Sequence, residues 1–589
     1  MTSLSELYQQ ELRLLKESAK VFSDEYPTLT ANLVRESADP DIDMILKGVA
    51  YLTAQLRKEI SDEFPIALQA LSQVLTPTLM QPLPATTILD FMPKANLITP
   101  FKLAAGTAFD SVSLASDSLG QPVHCRFCTV WDVTVLPIAI RSVGVKSTEE
   151  TLAGNQTKLL QLKMDFDASR NDVANYEFES LRLYFDMPIA ESAAWVSLLK
   201  NSLVSLNVTD ASGTRNIFSP KVRLTGYFLG ENEPQGPSSL STHQLLQDYY
   251  VSTEKYLFFD IDLSGWTERS GEAFTLEFKL SQPNWSVPEL TDSAVQLFAT
   301  PAVNRFSAYA ETKKISGPEA DITLEAYERS LSGDHGLEII DVEEVESIQK
   351  GRPENLRYQN LLSPDSVSTN IAGYNFFRKP GAQDGQTVPW LGLYNGQSVD
   401  LREEVLRIRV ACCNGELASQ IAPGDIKRPT SSSPELVSFT NLTAATQFQS
   451  ASVVTQSAWQ VVSDQALSMS SIDDAAKLKR LLMHHIPAGL VKSARQKSNI
   501  HAISAIEIFK VVSTEKISRG RPLLGSEYRV VMNGESFASA GELFMFSALL
   551  DQLFALQNVV NSFSQLVVTD SRTGEEAEWP VRLGTTEIL

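Results

Sequence analysis

The side chains that could do chemistry in this chain are few: six histidines and four cysteines among 589 residues, set in a surplus of carboxylates. The most suggestive run is His124-Cys125-Arg126-Phe127-Cys128, which contains a CxxC. A structural zinc site needs a second pair of ligands at matching spacing, and the adjacent Cys412-Cys413 is a poor one. If 124–130 form a strand, Cys125 and Cys128 face opposite sides and cannot chelate together. Buried structural thiols are the expectation. His484-His485 falls in a basic helix beside Lys479 and Arg480, where neighbouring residues do not share a face and cannot both reach one metal. Asp334-His335-Gly336 offers an acid and a base in a Gly-flanked turn, with no nucleophile paired to them.

Paired carboxylates of the kind that hydrolyse glycosides occur by the dozen in an acidic chain, and no pair stands out. The phosphate loop GxxxxGK[ST] is absent, as are GxGxxG, HExxH and GxSxG. No catalytic, cofactor-binding or metal-binding residue is therefore expected, and the chain reads as a non-enzyme. The rival reading is a β-rich hydrolase, or a ligand-binding protein, using carboxylates of the middle region. Convergent acids with a perturbed pKa around a pocket would mark the first, and an exposed aromatic groove the second.

Composition narrows the partners. A formal charge of −21 argues against wrapping nucleic acid or lying on an anionic membrane, both of which need clustered Lys and Arg. Hydrophobic residues at 43% and charged residues at 21% are ordinary for a soluble protein. The opening MTSLSELYQQELRLL lacks the basic-then-apolar pattern of a secretory signal, and no window reaches the ~18 apolar residues of a membrane helix. A cytoplasmic protein without membrane insertion is expected.

The elements that must position any site fall into three textures. Residues 1–84 read as helices. Leu4, Tyr8, Leu12, Leu15, Ala19 and Phe22 form one face of the first, and Leu7, Leu14 and Val21 a second stripe spaced by sevens. From Asp39, a good N-cap followed by Pro40, apolar residues recur at Ile42, Ile45, Val49, Leu52, Leu56, Ile60 and Phe64. Phe64-Pro65 ends that run, and a second through Leu68, Leu71, Leu75 and Leu79 completes a helical hairpin. Its pattern suits gripping a partner as well as it suits a closed bundle.

Residues 85–335 read as a β-rich middle, with strands over Thr86 to Phe91, Val130 to Ile140, Lys158 to Asp167, Leu181 to Asp186, Leu203 to Thr209, Lys255 to Leu263 and Phe274 to Leu280. Short helices are expected near Ala193 to Lys200 and Gln244 to Tyr250. Residues 336–430 form a second β-containing region, with strands over Glu338 to Glu346 and Val405 to Cys412 and a polar stretch from Lys350 to Pro389. Pro423 to Pro434 (PGDIKRPTSSSP) reads as a linker. Residues 431–589 read as an α/β domain with a basic helix over Ala475 to His485 and strands over Ala502 to Val512, Tyr528 to Asn533 and Phe563 to Thr569. Its long helix, Ser539 to Val560, opens on a capping box, Ser539-Ala540-Gly541-Glu542. The fold class is α+β, multidomain.

Several segments, taken in order, resemble the TssF (VasA/ImpG) family of type VI secretion baseplate subunits. They are the tyrosine-bearing first helix with Ala38-Asp39-Pro40-Asp41 and Asp62-Glu63-Phe64-Pro65, then Gly106-Thr107-Ala108 and Cys125-Arg126-Phe127. The most distinctive is Leu245-Leu246-Gln247-Asp248-Tyr249-Tyr250 running into Glu254-Lys255-Tyr256-Leu257-Phe258-Phe259-Asp260. Thr300-Pro301-Ala302-Val303-Asn304-Arg305-Phe306 and Cys413-Asn414 follow, although Gly415 and Ala418 depart from the family pattern. Asn561-Ser562-Phe563-Ser564-Gln565-Leu566, Trp579-Pro580 and Arg582-Leu583-Gly584 close the series.

The resemblance implies a cytoplasmic wedge subunit that binds TssG and a second TssF copy, associates with TssK, TssE and the hub and spike, and helps to start tail tube and sheath assembly. It implies no cofactor. The partner-binding residues expected on this basis are Leu4, Tyr8, Leu12, Leu15, Ile42, Ile45, Val49, Leu52, Leu56 and Phe64. Burying about eight apolar side chains of one helix face would contribute on the order of 10 to 20 kcal/mol before entropic costs.

Overall fold

Strand Thr86–Pro93 (TTILDFMP) buries five consecutive side chains, which a strand does only when both faces are covered. It is accordingly central. In a six-stranded sheet it pairs antiparallel with Thr300–Val303 on one side and Val437–Asn441 on the other. The computed structural model that shows this describes residues 8–9, 12–15, 44, 47–55 and 81–584, apart from 117, 153–154, 169–171, 218–220, 228–241, 316–318, 333–335, 349–355, 363–371, 382–386, 395–403, 452–471, 488–493, 519–520, 557 and 559–561. The chain divides into two units, Met1–Met80 with Val453–Ala466, and Gln81–Ser452 with Leu467–Leu589.

Within the larger unit, alternation builds the neighbouring sheets. Ala273–Ser281 buries every second residue, and it lies inside a five-stranded sheet between Leu203–Asp210 and the long strand Asn155–Asp167. Ser180–Phe185 and Phe258–Asp262 centre a four-stranded sheet. These layers share one hydrophobic core with helices α1 (Ile189–Asn201), α2 (Thr242–Val251), α3 (Ala475–His484), α4 (Ala494–Ser504) and α5 (Ala540–Ala555). A separate core lies under the eight-stranded sheet, in which Glu404–Cys413 pairs antiparallel with Glu338–Ile348.

The C-terminal strands show the α/β texture expected of them. Arg521–Met532 and Ser562–Asp570 run parallel, and α5 is the crossover between them, since parallel neighbours cannot be joined by a tight turn. The capping box forms: the Ser539 hydroxyl accepts from the Glu542 N–H at 3.2 Å, and the Glu542 carboxylate reaches back to the Ala538 N–H at 3.1 Å. From Met545 to Phe554 every residue of α5 is buried, so this helix is core.

Four local expectations need correction. The polar stretch from Lys350 to Pro389 holds strands Leu356–Asn360, Gly373–Pro380 and the start of Thr387–Tyr394, all within the eight-stranded sheet. Each buries only one face, through Tyr358, Tyr374, Leu391 and Leu393, so its apolar signal is sparse. The Gly-flanked polar run from Gly381 to Gln386, which reads as an exposed loop from its sequence, lies almost wholly outside the described residues. The Pro423 to Pro434 linker contains strand Ile426–Pro429, an edge of the six-stranded sheet paired with Ala108–Ser111, with Ile426 fully buried.

Lys255, Tyr256 and Leu257 form a 3₁₀ turn rather than the start of a strand, because the Lys255 ammonium and the Tyr256 hydroxyl both donate to the Asp248 carboxylate of α2, at 2.6 and 3.0 Å. Ala502 to Ser504 belong to α4, and the strand begins at Ile506. The sheets also cross the divisions drawn at 335/336 and 430/431: Phe306–Tyr309 pairs with Glu404–Cys413, and Val437–Asn441 pairs with Thr86–Pro93.

Candidate partner-binding surface

In the smaller unit, residues 47–55 form helix, and their exposure is lopsided. Ala50 and Ala54, one turn apart, are fully buried, while Leu52 is 65% and Val49 42% exposed. At 100° per residue the two alanines lie on the side opposite Leu52. Met44 and Tyr51 are exposed as well. The small residues thus face inward and the large apolar ones outward, the reverse of a helix closing its own core. On the first helix Tyr8, Leu12 and Leu15 are half-buried, whereas Leu14 of the second stripe is exposed. Leu4, Ile42, Ile45, Leu56 and Phe64 lie outside the described residues.

The residues with chemical potential are absorbed by structure. Cys125, Cys412 and Cys413 are buried and Cys128 is half-buried, all as free thiols. Burial pushes the Cys125 and Cys413 thiols up to about 12 and Cys128 to about 11, so none is a thiolate nucleophile near neutrality. His485 is buried with Nδ1 2.7 Å from the Leu481 carbonyl. Among the described residues no group of three or more His, Cys, Asp or Glu could hold a metal ion. Of Asp334-His335-Gly336, only Gly336 is described, in a left-handed turn at φ 76°.

The acid-rich cavity a hydrolase would need has a counterpart of about 260 Å3, whose lining includes Asp132, Glu177, Glu179, Arg182 and Asp260. Arg182 grips Asp260 through two hydrogen bonds at 2.8 and 3.1 Å. The Asp132 carboxyl is held below the usual range by the Ala105 N–H and Lys102, the direction opposite to that of a proton-donating acid.

The described resemblance segments of the middle and C-terminal regions meet instead at two structural junctions. At the first, Arg126 forks onto Asp110 at 2.9 and 3.1 Å. The fully buried Asn304 donates to the Arg126 carbonyl at 2.7 Å and to the Asn414 side-chain oxygen at 2.6 Å. The Asn304 side-chain oxygen accepts from the Asn414 N–H at 2.8 Å. His124, bonded through Nδ1 to the Ser111 carbonyl, presents Nε2 to Arg428. This network joins the six-stranded sheet to the eight-stranded one. Each segment alone looks like loop chemistry; only the pairing of Asn with Asn across 110 residues reveals the joint.

At the second junction, Tyr256 packs at an angle against Tyr227 and edge-on against Tyr249, with centroids 4.8 and 5.1 Å apart, and the Tyr227 hydroxyl donates to the Met545 carbonyl of α5 at 2.9 Å. The C-terminal segments return to the same helix. Trp579 stacks on Phe544, and Arg582 binds Asp551, whose side chain is 2% exposed, at 2.8 and 2.9 Å. Burial raises the Asp551 carboxyl against the pull of Arg582, so the charge depends on its partner. Arg582→Ala is expected to cost about 3 to 5 kcal/mol in urea unfolding, because a buried carboxylate is left uncompensated. The double change Asp551→Leu with Arg582→Leu should recover most of that loss; an equal loss in both would show that the ion pair is not what matters.

These features define a protein of the multidomain α+β class, in which the polar clusters described above join sheets and helices. The chain belongs to the TssF family of type VI secretion systems: the description "Type VI secretion system, TssF" matches residues 1–586. A curated relative, the type VI secretion system component TssF1 of Pseudomonas aeruginosa, is 22% identical over all of this chain and 99% of its own length. Among solved structures, a chain of the TssK-TssF-TssG baseplate subcomplex superimposes with a TM-score of 0.69 at 22% identity, covering 92% of this chain and 99% of that one. A chain of the type VI baseplate complex gives 0.57 at 19% identity over the full length of both. At these identities the structural likeness establishes the fold. No described helix is long and apolar enough to cross a membrane.

Proposed function

We propose that this chain is a wedge subunit of a type VI secretion baseplate, non-enzymatic and acting in the cytoplasm. Its N-terminal helices, residues 1–84, pack against TssG and a second TssF copy. The observation that carries the reading is the outward apolar surface of residues 44 and 47–55, in which Met44, Val49, Tyr51 and Leu52 are exposed while Ala50 and Ala54 are buried. A soluble protein rarely leaves such a cluster uncovered unless a partner covers it. The family membership and the subcomplex in which TssF stands with TssG and TssK support the choice of partner. TssE, the hub and the spike would then contact the assembled wedge, and the wedge would prime the tail tube and sheath.

The test is copurification of the full-length chain carrying Val49→Asp and Leu52→Asp with co-expressed TssG. Losing two apolar contacts at about 1.5 kcal/mol each weakens binding roughly a hundredfold, and capture of TssG should fail. Undiminished capture with the chain still folded would overturn the helix-packing reading. The native mass of the wild-type complex should correspond to two copies of this chain for one TssG, and a one-to-one mass would remove the second copy.

A further inference from the structure

A cavity of about 340 Å3 lies where α1, α2, α4 and α5 come together. Pockets that hold small organic molecules span about 300 to 1,000 Å3, so this one is large enough. Its walls are mostly apolar, formed by Ile189 of α1, Ala502 of α4, Phe537, and Met545 and Phe546 of α5. Three further side chains bring polar groups to the same lining: Tyr249 of α2, Asn499 of α4 and Glu542 of α5. Glu542 is the one charged residue of the described lining.

These three groups are under-satisfied. Asn499 is only 8% exposed, yet its carboxamide makes no hydrogen bond among the described residues. The Tyr249 hydroxyl, on a residue 6% exposed, makes none either. One Glu542 oxygen accepts from the Ala538 N–H, and the other accepts nothing among the described residues. Burial holds the Glu542 carboxyl above its usual range against the pull of that N–H, with no basic group among the described residues to offset the rise. Burial raises the Tyr249 hydroxyl too, and the Glu542 carboxylate adds to the rise, so the two groups are neighbours. Leaving such groups buried without partners is costly, and a ligand with complementary donors would remove that cost.

We infer that this cavity binds a small primary amine with an apolar, aromatic body. A primary ammonium carries three N–H donors and no acceptor. The free Glu542 oxygen, the Tyr249 hydroxyl and the Asn499 side-chain oxygen supply three acceptors for it. A lone carboxylate in an apolar surround favours a cationic head over a neutral one and rejects an anion. Phe537, Met545 and Phe546 take the body of the ligand. The inference is independent of the baseplate reading, which rests on the N-terminal helices.

The probe is phenethylamine, titrated onto the full-length chain and followed by saturation-transfer NMR. It should saturate with a Kd of about 1 mM, ordinary for a ligand of its size. Phenethyl alcohol has the same shape without the charge and should bind about tenfold more weakly. Dimethylation of the amine keeps the charge but leaves one donor, and should also weaken binding. Glu542→Gln keeps the capping box, since glutamine serves at that position, and should reduce the amine to the affinity of the alcohol. Ser498 also lines the cavity and is exposed, so Ser498→Trp should block entry, weakening binding about tenfold without lowering the melting temperature. Equal affinity for the amine and either control overturns the inference. So does undiminished binding in either variant, or no saturation of the parent by about 20 mM.

Discussion

Gly541→Ala is expected to lower the stability of the C-terminal region by about 3 kcal/mol, although alanine is the better helix former by about 1 kcal/mol. A Cβ at this position would lie 2.1 Å from the Ala193 carbonyl carbon, 2.2 Å from the Ala194 nitrogen and 2.3 Å from the Ala193 oxygen. All three are backbone atoms of α1, so no rotamer change can make room. The crossing is also pinned, because the Ser539 hydroxyl that caps α5 donates to the Ala190 carbonyl at 2.8 Å. Relieving the clash means pulling α5 away from α1 and opening the packing around Phe546 and Trp195. The urea midpoint of the variant should fall and limited proteolysis should begin near α5. A gain of about 1 kcal/mol would mean that helix propensity wins and the helices do not approach this closely.

Asp90→Asn should stabilise the protein at pH 8 and leave it nearly unchanged at pH 4. Asp90 sits on the central strand Thr86–Pro93, 4% exposed, and burial pushes its carboxyl up from 3.8 to about 7. The Phe91 N–H pulls the other way, and nearby Asp186, itself raised by burial, adds to the rise. Because the folded pKa lies above the unfolded one, the folded state holds a proton that the unfolded chain releases near pH 4. The stability this contributes is fully present below about pH 4 and is lost as pH rises through 7. The loss amounts to about 4 kcal/mol above that range. Asparagine keeps the shape and the acceptor without the charge. Urea midpoints of the two proteins should therefore coincide at pH 4 and separate by pH 8. An equal gain at both pH values, or a loss at pH 8, would refute a buried, protonated Asp90.

Local signals were legible wherever a residue's role depends on its near neighbours. The capping box at Ser539 and Glu542, the alternation of Ala273–Ser281 and the incompatible faces of the CxxC are each contained within a few residues. Three of the four corrections share a cause. Leu356–Asn360 and Ile426–Pro429 are strands because of what lies beside them in the sheet, and their own composition is that of loops. Lys255 to Leu257 turn because Asp248 claims two of their side chains. The candidate surface divides in the same way. The apolar stripe through Val49 and Leu52 could be read directly, but its direction could not, since helical periodicity marks a face without saying what covers it.

The sequence alone determined the fold class, the scarcity of catalytic groups and, through ordered segments, the resemblance to TssF, because those follow from composition, local periodicity and the identity of short runs. Only the tertiary structure decided that Arg126, Asn304 and Asn414 meet at one joint, that α5 rests on the backbone of α1 at Gly541, and that Ala50 and Ala54 face inward while Leu52 faces out. Contacts between residues more than a hundred positions apart depend on which sheets share a core, and neighbouring residues carry no record of that choice.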